Sequence, residues 1–92
     1  MREITNVKLK KYFEVTGKAL AAAKEAINQK KKRDATEILD MASRYYEDAK
    51  WFEKQGHYVN ACASLNYAHG WLDAGSRLGF FKVKYSKLFV IK

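Results

Sequence analysis

Four residues able to do chemistry stand at helical spacing in the last third of the chain: Asn66, His69, Asp73 and Arg77. Steps of three and four residues bring such side chains together on one helix face. His69 and Asp73 can touch, and a carboxylate orienting an imidazole is a general-base arrangement. Asp73 and Arg77 can pair in the acid-first order that helices favour. The competing structural reading is a hydrogen-bonded polar seam that sets the register of an otherwise apolar helix. No nucleophile completes a catalytic set, because Ser64 and Ser76 belong to the same helix and one helix cannot converge all three groups. The seam is the preferred reading, with no catalytic residue assigned and no enzyme expected. Gly70 shares this polar lane, and a helical glycine costs about 1 kcal/mol relative to alanine. Close approach by another backbone is the usual compensation, so Gly70 joins the candidate partner-binding set. The tail or a neighbouring helix of the same chain is the expected neighbour.

Other chemistries find little support. His57 and His69 are twelve residues apart and Cys62 is the single cysteine, so neither a metal nor any other cofactor is expected. No glycine pair opens a helix after a strand, which excludes a phosphate loop of that kind. The second candidate set is basic: Lys30, Lys31, Lys32 and Arg33 stand in a row. Residues 1–33 carry ten Lys or Arg against three Glu, whereas residues 34–81 carry four against seven Asp or Glu. Within a net charge of +8, these basic ends read either as a solvated lysine face or as attraction to an acidic partner such as RNA.

The elements that must position these residues follow from periodicity. Residues 58–79 place Tyr58, Ala61, Cys62, Leu65, Ala68, Leu72, Gly75 and Gly79 on one face, with Tyr67, Trp71, Ala74 and Leu78 as a second apolar strip. A helix so apolar around its girth is expected to be central and covered on more than one side. Leu9, Tyr12, Phe13, Thr16, Leu20, Ala23 and Ile27 predict a first helix over residues 5–28, capped by Thr5 or Asn6. Ile38, Ala42, Tyr45, Ala49 and Phe52 predict a second over residues 34–54, opened by a capping box of Asp34 and Glu37. Gly56 suits a left-handed C-terminal cap, and the short connection makes the second and third helices an antiparallel hairpin. The fold class is therefore all-α, an up-down-up three-helix bundle over residues 1–81. A basic and apolar tail over residues 82–92, in which Val83 and Tyr85 alternate with lysines, is read as extended and either docked on the bundle or partner-binding. No apolar run reaches the length of a membrane span, and the start of the chain lacks a signal-peptide core, so a cytoplasmic protein is expected.

The segment over residues 45–79 resembles an archaeal family of small helical proteins, the domain of unknown function 357. The likeness is carried by Ala49-Lys50-Trp51-Phe52, by Gly56 to Ala61, by Asn66-Tyr67-Ala68-His69-Gly70-Trp71-Leu72-Asp73-Ala74-Gly75, and by Arg77-Leu78-Gly79. His57 departs from the acidic residue common there. The resemblance implies a three-helix bundle in an archaeal cytoplasm and supplies no activity. A fainter likeness to the hairpin of tetratricopeptide repeats and of HEPN ribonucleases lacks the further repeats and the arginine before His69 that those activities need. The functional expectation is a non-catalytic protein–protein interaction module, with an unknown partner or a second copy of itself. The alternative is an RNA-binding accessory protein using the basic residues of the first helix and loop.

Overall fold

The structure, a computed structural model, describes residues 6–83 and is built from three α-helices: α1 (Asn6–Glu25), α2 (Lys32–Lys54) and α3 (Tyr58–Arg77). A 3-10 turn over Gln29–Lys31 leads into α2. Among the described residues there is no strand, only an isolated bridge. Thr5, Tyr85 and the apolar residues 88–91 lie outside the described residues. The all-α bundle matches the periodicity, and α3 runs unbroken through Gly70 with Leu65 and Leu72 buried.

Packing is most extensive between α2 and α3, and it is made by the smallest side chains. Ala35, Ala42 and Ala49 recur every seventh residue on α2, and Ala61, Ala68 and Gly75 do the same on α3; all six are buried. Leu39 on α2 and Leu65 and Leu72 on α3 fill the intervening positions. That four-three alternation is the antiparallel counterpart of a coiled-coil seam, with alanine letting the two backbones come close. Of the predicted α2 stripe, Ala42 and Ala49 lie in this seam and its larger members stand beside it. Ile38, Tyr45 and Phe52 flank the seam and are only part-buried, as are Phe13 and Tyr58, while Tyr12 is exposed. A seam that narrow leaves no room for rings, so the aromatics expected in the core splay along its margins.

α1 closes one side of this pair through Leu9, Thr16, Ala19, Leu20 and Ala23. Tyr46 ties it to α2: its hydroxyl donates to the Phe13 carbonyl (3.4 Å), its ring meets Phe13 edge-on, and its hydroxyl stands 2.7 Å from where a Cβ at Gly17 would lie. Both ends of α3 are set by glycine. Gly56 (φ 78°) ends α2 as expected, with the His57 N–H on the Phe52 carbonyl and the Gly56 N–H on Glu53. Gly79 (φ 77°) ends α3 the same way, with Phe80 N–H on Gly75 and Gly79 N–H on Ser76. These are Schellman closures, which need a left-handed residue. The capping box at Asp34 and Glu37 does not form. α2 already begins at Lys32, because Asn28 caps the preceding 3-10 turn by accepting from the Lys30 N–H (3.1 Å). Asp34 instead falls in the first turn of α2, where a negative charge faces the free N–H groups.

The start of the tail belongs to the body. Phe81 is 2% exposed, one of the largest buried side chains, and packs in the same cluster as Leu20, Leu39 and Leu72. The Asn28 N–H donates to the Phe80 carbonyl (2.9 Å) and the Lys82 N–H to Ala26 (2.6 Å), an antiparallel bridge centred on Ile27 and Phe81. The Asn28 amide adds a bond to the Gly79 carbonyl (2.9 Å).

Candidate interaction surfaces of the third helix

α3 presents two unlike flanks on either side of its buried stripe. Toward α2 lies the second apolar strip, and it is open rather than covered. Tyr67 is 62% exposed, Leu78 is 58% exposed, Ala74 is exposed and Trp71 is half-buried. The expectation that neighbours cover α3 on more than one side thus fails for this strip, because the alanine seam holds α2 close to one narrow face only. Tyr67 is nevertheless held in place, stacked on Tyr45 with centroids 5.0 Å apart and planes 22° from parallel. Gly70 stands beside it with nothing among the described residues within 4 Å of where a Cβ would point, and its backbone is ordinary helix. Tyr45, Asn66, Tyr67, Gly70 and Trp71 line one shallow hollow. The neighbouring helix or tail expected at Gly70 is absent among the described residues.

Gly75 shows what a compensated helical glycine looks like. A Cβ there would run into the Phe81 ring and come within 3.2 Å of Ile38 Cγ2.

Toward α1 lies the polar seam. The Arg77 Nε–H donates to Asp73 Oδ1 at 2.7 Å, the pair expected from the spacing. His69 is half-buried; burial pushes its pKa below the usual imidazole value, partly opposed by the Asp73 carboxylate nearby. The imidazole is thereby held toward its neutral form. Asn66 is exposed. Asn66 and His69 line a groove of about 240 Å³ between α3 and α1, with Tyr12, Val15, Thr16 and Leu65. Neither Ser64 nor Ser76 lines this groove, and Ser76 donates to the Val83 carbonyl (3.2 Å) instead. Among the described residues no three His, Cys, Asp or Glu side chains come together as a metal site.

A family model described as "Protein of unknown function (DUF357)" matches residues 11–81, from the early turns of α1 to Phe81. The chain belongs to this family. No curated protein and no solved structure matches it significantly. The DUF357 match covers the alanine seam, both flanks of α3 and the docked Phe81, and its description carries no activity. No helix of this DUF357 protein is long and apolar enough to cross a membrane, among the described residues.

The basic row is spread over two local structures: Lys30 and Lys31 in the 3-10 turn, Lys32 and Arg33 at the start of α2. All four are exposed. Lys31, however, also ties the turn to α3. Its ammonium donates to the Leu78 carbonyl (3.0 Å) and lies 5.7 Å from the Phe80 ring centroid. It therefore supplies a cation to the C-terminal end of α3, where the helix dipole favours one. Sequence reading placed Ala61, Ala68 and Gly75 on the buried face of α3 and Ala42 and Ala49 in the α2 stripe, but missed Ala35 and the burial of Phe81. The signal for the seam was present as small residues recurring every seventh position; for Phe81 it was the unusual volume missing at Gly75.

Proposed function

We propose that this DUF357 chain is a non-catalytic interaction module, and that the surface it offers is the strip of Tyr67, Gly70, Trp71, Ala74 and Leu78 backed by Tyr45. The observation that carries this is the pairing of a pre-stacked, exposed tyrosine with an open helical glycine beside it. Exposed aromatics held rigid before contact are what energetic centres of interfaces are made of. An apolar helix of a second copy is the partner this strip suits best. On a chain of net charge +8, it is a face on which two copies can meet without opposing lysines. A two-fold crossing of α3 on α3 would also bring the bare backbone at Gly70 against its equivalent, the close approach that offsets a glycine inside a helix.

Light scattering across a concentration series tests this. A dimer at micromolar concentration that becomes monomer in Tyr67→Asp and Leu78→Asp supports the reading. A parent chain that stays monomeric into the millimolar range would refute it.

A second reading, an RNA-binding accessory protein, draws on the exposure of Lys30, Lys32 and Arg33 in one contiguous stretch. Binding of mixed RNA that weakens steeply with salt, and weakens further in a Lys30→Ala, Lys32→Ala, Arg33→Ala variant, would support it. Lys31 is left out of that variant because it holds the end of α3.

A further inference from the structure

The exposed face of α3 extends beyond the strip around Tyr67. Val59, 52% exposed, and Ala63 continue it toward the start of the helix. Val59, Ala63, Tyr67, Gly70, Ala74 and Leu78 thus form one exposed line from the first turn of α3 to its C-cap. Their spacings are four, four, three, four and four residues, a pattern that is the same from either end and is centred between Tyr67 and Gly70. Such a line complements itself when a second copy lies across it in the opposite direction, because a two-fold axis exchanges the members of each pair. Val59 then meets Leu78, Ala63 meets Ala74, and Tyr67 meets Gly70. Aliphatic side chains oppose each other at the ends, and a large ring opposes a bare backbone at the centre. A parallel pairing sets Tyr67 against Tyr67 instead, and the two rings hold the Gly70 backbones apart.

We propose that two copies of this chain pair their third helices antiparallel, in the register that seats Tyr67 of each copy against Gly70 of the other. This rests on the strip being a self-association face, and it adds a direction, a register and two residues, Val59 and Ala63. The receiving site is formed already: the hollow over Gly70 is walled by Tyr45, Asn66 and Trp71, with nothing among the described residues within 4 Å of the glycine Cβ position. The entering ring is formed too, since stacking on Tyr45 holds Tyr67 in place. Charge selects the same direction. Among the described residues of α3 that are exposed, Arg77 carries the only charge. Antiparallel pairing in this register brings it opposite Asn60, whose amide oxygen accepts from a guanidinium, whereas parallel pairing brings it opposite its own copy. Antiparallel helix dipoles also place unlike ends together. The two Gly70 residues then stand about 4–5 Å apart along the helix direction, one on each side of the two-fold axis, so the backbones approach where neither carries a side chain.

Distances between nitroxide labels in the full chain, measured by double electron–electron resonance, test the proposal. One label per chain is attached at Asn60→Cys or at Arg77→Cys in a Cys62→Ser background, and light scattering gives the mass of the same samples. Each position lies about 13 Å of helical rise from the centre of the pattern, so the two labels of a dimer are about 26 Å of rise apart in either variant. The expected result is a dimer with nearly equal separations at the two positions, lost in Tyr67→Asp. Short separations at both positions would mean a parallel pair, and unequal ones a shifted register. Either overturns the proposal while leaving the strip as a dimer face. A chain that stays monomeric at labelling concentrations, or a dimer whose distances survive Tyr67→Asp unchanged, overturns both the proposal and the strip's role.

Discussion

Gly70 and Gly75 stand five residues apart on α3, and their surroundings differ in kind. Around Gly75 the Phe81 ring and Ile38 occupy the space a side chain would take, so the glycine is accounted for within the chain. Around Gly70 nothing among the described residues approaches, although the propensity cost of a helical glycine is the same at both sites. A residue explained from inside marks the core, whereas one left unexplained from inside points outward. The contrast extends to the aromatics beside each glycine: Phe81 is buried, and Tyr67 is ordered but open.

The contrast can be broken most violently at Phe81. Phe81→Ala is expected to lose about 3–5 kcal/mol of stability, measured by urea unfolding, because the ring fills the main core cluster. Gly75→Ala should cost about 1–3 kcal/mol by overpacking against the same ring, visible as a lower thermal midpoint. At Gly70 the sign reverses. Gly70→Ala meets open space and ordinary helical backbone, and should add about 1 kcal/mol to the stability of the isolated chain.

Two smaller effects sharpen the picture at the flanks. Lys31→Ala should lose about 0.5–1 kcal/mol through its bond at the end of α3, whereas Lys30→Ala should change stability by less than about 0.5 kcal/mol. At His69 the imidazole pKa is lowered in the folded chain by burial. The unfolded chain therefore binds the proton more readily, and the stability from this site is complete above the ordinary imidazole pKa. It is lost as pH falls from there through the lowered value. His69→Gln should flatten that part of the stability–pH curve, read as urea midpoints across the weakly acidic range.

Helix number, type and approximate extent were legible because three- and four-residue spacing of apolar residues reports helices directly. The buried faces of α1 and α3 were legible in the same way, whereas the centre of the α2 face was not. Ala42 and Ala49 stood within the predicted α2 stripe, but the large residues Ile38, Tyr45 and Phe52 drew its centre toward themselves and away from Ala35. Hydrophobicity weighs side chains by size, and close helix packing selects for the lack of it. The Asp73–Arg77 pair was legible because it is local to one helix. The groove beside His69 and the docking of Phe81 were not, since both depend on contacts between elements far apart in sequence. The openness at Gly70 could not be seen either, because a glycine looks alike whether or not something covers it.

The most direct test of the central claim follows Gly70→Ala by two readouts in the same samples: thermal midpoint and mass by light scattering. If the strip is an interface crossing at Gly70, the substitution should raise the midpoint measured at dilutions where the chain is monomeric. It should also shift the chain from dimer to monomer at high concentration. A variant that gains stability and still dimerises as the parent does would contradict the account.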